Sequence, residues 1–218
     1  DELVSKHIAI MDQYDPEKKV ALIVDEWGTW FDNEPGTNPG FLYQQNTLRD
    51  AVSAGISLNI FNNHADRIHM TNIAQTINVL QAMVLTEGEK MILTPTYHIY
   101  DMYKVHQDAK LLDFAVLSDD YECGTENLKQ INASVSKDSL GNINATLVNL
   151  DPNQMAEVTC HIADFGMISK VNGTVLTSGA MNTMNTFEHP DQIQPEEFED
   201  FVIEGNTIHI KMPSKSVV

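Results

Sequence analysis

The sequence predicts an α/β unit followed by an all-β unit built as an antiparallel sandwich. Three observations carry this. An apolar run, Val20-Ala21-Leu22-Ile23-Val24, delivers the chain to two adjacent carboxylates, Asp25 and Glu26. Such continuous apolar character is the pattern of a strand buried on both faces. Up to about residue 108, helical and strand-like segments alternate, as in a parallel sheet. Beyond it the texture changes to short segments of period two separated by turn residues, the pattern of antiparallel strands.

Taken in order, Leu3, Val4, His7, Ile8, Ile10 and Met11 recur at helical spacing and predict a helix over 1–14. Asp15-Pro16 stops it, because the residue before a proline is pushed out of the α region. A strand over 19–25 follows, then a loop over 27–40 rich in Gly, Pro and Asn; loops this long inside a domain are more often functional than idle. From Phe41 the pattern is helical again through Leu42, Leu48, Ala51, Val52, Ile56 and Leu58, ending near His64. Arg67–Ala74 reads as a short strand, 75–84 as a short helix or loop, and Lys90–Leu93 as a brief extended piece. Thr94-Pro95-Thr96 opens a further helix with Tyr97, Ile99, Tyr100, Tyr103 and Val105 on its inner face, and a proline in the first turn fits. Two strands with their helices cannot close a barrel or cover a sheet, so this part reads as incomplete.

After residue 108, Ala145–Leu150, Glu157–Ile162 and Thr207–Ile210 alternate at period two, with turns at 138–142, 151–153 and 171–174. The units are therefore placed at 1–108 and 109–218. The acidic run 191–200 reads as a solvated loop. The first residues carry no initiator Met and no apolar signal core, and the last stop on the start of a strand; both ends read as cuts in a longer protein.

Composition narrows the partners. The apolar share of 42% suffices for a packed core. Asp and Glu outnumber Lys and Arg 31 to 13, a net charge of −18, which repels phosphate backbones and anionic lipid; nucleic acid and membrane surfaces are poor partners. Cys123 and Cys160 are too few for a disulfide scaffold; they pair once or remain buried free thiols.

The candidate chemistry gathers at Asp25-Glu26, since strand ends of α/β sheets are where catalytic groups sit. The competing reading is that one carboxylate caps the next element or pairs with a buried base. Successive strand residues point to opposite faces, so Asp25 and Glu26 do not both face one ligand unless the strand ends between them. The chain's two tryptophans, Trp27 and Trp30, follow at once, and Trp27 reads as core packing. His64, Asp66 and His69 have poor metal-ligand spacing, and Asp66 beside Arg67 reads as an ion pair or a turn at the strand entry. His98 and His106 read as surface residues. Asn33-Glu34 sits in a loop beside prolines, away from any strand end. There is no Gly-rich phosphate loop, no Gly-x-Ser-x-Gly elbow and no paired Cys motif.

Val24–Phe31, His64–Met70 with Ile73-Ala74-Gln75, and Asn78–Met83 resemble, in type, order and spacing, the α-L-arabinofuranosidases of glycoside hydrolase family 51. The resemblance implies the C-terminal part of a (β/α)8 barrel, with 19–26 and 67–74 as its last two strands, followed by the sandwich. It implies a retaining mechanism with Glu26 as nucleophile, Trp30 walling the sugar site and Gln75 touching the arabinose. The acid/base Glu of that family would lie upstream of Asp1. It implies no metal or organic cofactor, arabinose-containing oligo- or polysaccharides as partners, and a tendency to form homo-oligomers. Two alternatives stand beside it: a non-catalytic carbohydrate-binding or structural sandwich module, and a related glycosidase acting on xylosides or glucans.

Overall fold

The computed structural model describes residues 1–163 and 167–218. The first unit comprises α1 (Glu2–Tyr14), β1 (Leu22–Trp27), α2 (Leu48–Asn63), β2 (Ile68–Ile73), the hairpin β3 (Val84–Glu87) with β4 (Lys90–Leu93), and α3 (Pro95–Tyr103). Strands β1 and β2 pair in parallel with α2 as their crossover. In β1 the burial alternates, with Ile23 39% exposed, so β1 is not covered on both faces within this chain; β2 is its only strand neighbour among the described residues.

Helix α2 begins at Leu48, later than the expected Phe41. Residues 39–41 form a separate short 3-10 turn, and Leu42 ends it in the left-handed region. The start at Leu48 is set by Thr47 and Asp50: the Thr47 backbone N–H donates to Asp50 Oδ2 at 2.7 Å, and its hydroxyl at 3.0 Å. A carboxylate in the first turn satisfies free N–H groups and complements the helix dipole. Helix α3 opens at Pro95 as expected, with the Thr94 hydroxyl accepting from the Tyr97 N–H at 3.4 Å, and Ile99 and Tyr103 face inward; Val105 lies beyond the helix and is exposed. The stretch 75–83 is a loop rather than a helix, and Val84 already opens β3.

The second unit adds β5 (Lys110–Leu111), β6 (Asp120–Cys123), β7 (Glu126–Lys129), β8 (Ile131–Lys137), β9 (Ile143–Asn149), β10 (Ala156–His161), β11 (Gly173–Val175), β12 (Glu196–Phe198), β13 (Phe201–Glu204), β14 (Thr207–Met212) and β15 (Ser216–Val217). One sheet runs β15-β9-β8-β5 and another β10-β14-β13; all their pairings are antiparallel. Ile131, Ala133 and Leu147 of the first pack with Ala156 and Met212 of the second, which makes a sandwich core. Cys123 is exposed and Cys160 half-buried, and both are free; only Cys160 approaches the expected burial.

The larger core joins the two units. Leu48, Ala51, Val52, Ala54 and Leu58 of α2 and Ile99 and Tyr103 of α3 cluster with Val148, Leu176, Ile193 and Val217. The 3.6-residue period of the α2 set explains why one helix face meets the sheet. Gly55 allows the approach: a Cβ there would lie 3.1 Å from Val148 Cγ2 and 3.4 Å from Val217 Cγ2. Beside this apolar contact lies a polar one. Buried Asn59 accepts from Thr146 Oγ1 at 2.7 Å and donates to Asn132 Oδ1 at 2.8 Å.

His106 belongs to this seam and is not a surface residue. Its ring nitrogens lie 2.7 Å from Ser136 Oγ and 3.0 Å from Thr146 Oγ1. Burial lowers its pKa from 6.5 to about 4. The unfolded chain therefore binds more protons than the folded chain across that window, and stability falls as pH drops through it. Between pH 7 and 5 this group alone is expected to cost about 1–2 kcal/mol. His106→Gln, which keeps two polar contacts, should shrink the drop in urea midpoint between those pH values. An undiminished drop would assign it to other groups.

Arg67, fully buried, anchors α1 to the strand entry. Its Nη1 donates to Asp15 Oδ2 at 2.7 Å and Val20 O at 2.9 Å, and Nη2 reaches Asp12 and Asp15 O. The Val20 N–H, followed by Arg67, holds the Asp15 carboxyl below its ordinary range. Asp66 pairs with Lys18 rather than with its neighbour Arg67.

Candidate functional site

Glu26 and Gln75 lie at the same, carboxyl end of the parallel pair, where Trp27 is in register with Ile73 and the Ala74 N–H donates to Trp27 O at 2.9 Å. Between the register pairs Val24↔Thr71 and Trp27↔Ile73, β1 advances by one residue more than β2. This bulge at Asp25-Glu26 breaks the strict alternation of faces expected from sequence, and both carboxylates are exposed. Among the described residues neither carboxylate makes a side-chain hydrogen bond or ion pair. Gln75 is exposed after a cis Ala74–Gln75 peptide.

Trp27 is packed and Trp30 is exposed. Trp27 packs edge-on to Phe61 at 5.4 Å and stacked on Tyr100 at 6.3 Å between ring centroids. It contributes through its ring; its Nε1 is buried without a partner among the described residues. Trp30 is 65% exposed, which leaves its face free for a ligand.

The chain between them is tightly held. Gly28 has φ +152°, a conformation L side chains rarely adopt, and a Cβ there would sit 3.4 Å from both Ala74 O and Gln81 Oε1. The Thr29 N–H donates to Gln81 Oε1 at 2.9 Å, and its hydroxyl donates to Asp50 Oδ1 at 2.7 Å. Gln44 Nε2 donates to Thr29 O at 3.1 Å, while the Phe31 N–H donates to Gln44 Oε1 at 2.7 Å. The Arg49 guanidinium lies 3.7 Å from the Phe31 ring centroid.

Gln44, Asp50 and Gln81 were not singled out for the site by sequence reasoning. A signal existed for two of them: Thr47-x-x-Asp50 has the spacing of a helix-start box, and Gln81 lies in the Asn78–Met83 motif. Among the described residues no three His, Cys, Asp or Glu groups gather as ligands. No helix among the described residues is long and apolar enough to cross a membrane.

A parallel strand pair with carboxylates, an exposed aromatic and an amide at its carboxyl end, packed on an antiparallel sandwich, defines the class: an α/β strand-end site backed by a β domain. The family follows from comparison. Residues 25–216 match the family model described as the alpha-L-arabinofuranosidase C-terminal domain, and the chain belongs to that family, the C-terminal portion of glycoside hydrolase family 51. It is 43% identical over 219 residues to the intracellular exo-alpha-L-arabinofuranosidase of Bacteroides ovatus, covering 100% of this chain and 42% of that protein. The crystal structure of the GH51 arabinofuranosidase from Xanthomonas axonopodis pv. citri superposes with TM-score 0.96 at 45% identity, over 99% of this chain and 44% of that one. The family 51 alpha-L-arabinofuranosidase of Bifidobacterium longum shares the fold, with TM-score 0.81 at 23% identity, over 99% of this chain and 46% of that one. The chain thus spans under half the length of the relatives it matches.

Proposed function

We propose that the chain is the C-terminal portion of a retaining exo-acting α-L-arabinofuranosidase that removes terminal α-L-arabinofuranosyl groups from arabinan, arabinoxylan or their oligomers. In this reading β1 and β2 are the last two strands of a (β/α)8 barrel, residues 1–108 belong to it, and 109–218 are the sandwich that follows. The exposure of Ile23 and Met70 on the strand pair supports it, because further strands and helices would cover such side chains. The observation that carries the reading is family membership joined to the place of Glu26 at a strand end.

Glu26 would attack the anomeric carbon and displace the glycosidic oxygen. A glutamic acid outside this chain would protonate that oxygen as it leaves, then take a proton from the water that hydrolyses the glycosyl-enzyme. Trp30 would wall the sugar and Gln75 would hydrogen-bond to it. No cofactor enters these steps.

The test is the full-length parent on 4-nitrophenyl α-L-arabinofuranoside, with the β-D-xyloside and β-D-glucoside as comparators. The arabinoside should be preferred, and proton NMR should show the α anomer of arabinose formed first. A preferred xyloside, or the β anomer first, would overturn the substrate or the stereochemistry. Trp30→Ala should raise KM about tenfold, the equivalent of ~1.4 kcal/mol of sugar stacking. An unchanged KM would remove Trp30 from the sugar site.

A further inference from the structure

We propose that Asp50 and Gln81 are positioning residues, buried side chains that set the places of Glu26 and Trp30 by holding the main chain between them. The proposal rests on the reading of Glu26 as nucleophile and goes beyond it to residues that touch no sugar.

Glu26 and Trp30 are exposed, and among the described residues the Glu26 carboxylate has no hydrogen-bond partner, so what this chain itself contributes to its placement does not act at its tip. Nor does the sheet ladder fix it, because the bulge falls at Asp25-Glu26 and regular pairing resumes only at Trp27. What remains is the main chain from Trp27 to Phe31. Trp27 is held by its ring packing and by the Ala74 N–H on its carbonyl; Gly28 adds no side chain, so beyond it the restraint falls on Thr29 and Phe31.

Thr29 is held at three atoms. Its N–H meets Gln81 Oε1, its hydroxyl meets Asp50 Oδ1, and its carbonyl meets Gln44 Nε2. The holders are themselves fixed. Gln81 is 1% exposed, and its Nε2 donates to Asp50 O at 2.8 Å and Thr96 Oγ1 at 3.2 Å. That amide has one orientation only: reversed, it would face an N–H with an NH2 and a carbonyl with an oxygen. Asp50, fully buried, also accepts from the Thr47 N–H and hydroxyl and lies 3.4 Å from Arg49 Nη2. Two side chains therefore join the chain after β1, the start of α2, the loop after β2 and the start of α3.

Buried polar groups cost desolvation, and apolar residues of the same volume often serve stability as well or better. What a saturated buried network adds is geometric specification. Its location on the residues that separate a nucleophile from a sugar wall gives that specification a use, since small displacements of a catalytic group cost large factors in rate.

The test uses the full-length parent with 4-nitrophenyl α-L-arabinofuranoside. Thr29→Val keeps the shape and removes the hydroxyl; Gln81→Met keeps the length and removes both polar ends. Each should lower kcat at least about tenfold, with KM within about threefold and a melting temperature within a few degrees of the native value. Thr29→Ser, which restores the hydroxyl, should recover most of the loss. Native kcat in both Thr29→Val and Gln81→Met, or a loss in Thr29→Val that Thr29→Ser shares in full, would overturn the proposal. Glu26→Ala is run alongside. If it keeps turnover, the nucleophile reading itself fails; if it is inactive while the other two are native, only the positioning role fails.

Discussion

Glu26→Ala in the full-length parent is expected to lower kcat by a factor on the order of 10⁴, the loss of a covalent step rather than of a contact. Alanine leaves space where the carboxylate attacked, so azide should restore turnover by attacking the same face of the sugar. Because the native nucleophile inverts the anomeric centre in its first step, the azide product should be the β-arabinofuranosyl azide. Retention of most activity, or an α-configured azide, would refute the assignment. Asp25→Ala is the control. It removes the carboxylate on the other side of the bulge and should cost far less than Glu26→Ala.

Ile99→Ala is expected to carry the second large effect, a destabilisation of about 3 kcal/mol measured by urea unfolding. Ile99 is fully buried in the cluster that also holds Val148, Leu176 and Val217. The cavity would therefore open in a core shared by the α/β unit and the sandwich. Probes in each unit should shift together. A shift confined to the α/β unit would mean that the two units unfold independently despite the common core.

Much of this molecule was legible in its sequence because the signals are local. Period-two alternation marked strands β9, β10 and β14, since the pleat itself has that period. Asp15-Pro16 and Thr94-Pro95 marked helix boundaries, because proline restricts its neighbour whatever surrounds it. The motif around Glu26 pointed to the candidate nucleophile and the family, and Trp27 packs against Phe61 and Tyr100 as a core residue.

What escaped the sequence depended on partners far along the chain. His106 looks like a polar residue near a helix end; only its position between Ser136 and Thr146 makes it a buried, neutral group. Phe41 and Leu42 carry helical spacing, yet α2 waits for Leu48, because Asp50 meets Thr47 and Thr29 together. Strict alternation would turn Asp25 and Glu26 to opposite faces, and the bulge opposite Asn72 undoes that rule. Glu26, Trp30 and Gln75 were legible as candidates through the resemblance of their motifs to the family. Their hold on one another was not. It runs through Gln44, Asp50 and Gln81, whose hydrogen bonds span 13 to 52 positions, and only folding brings such donors and acceptors within 3 Å.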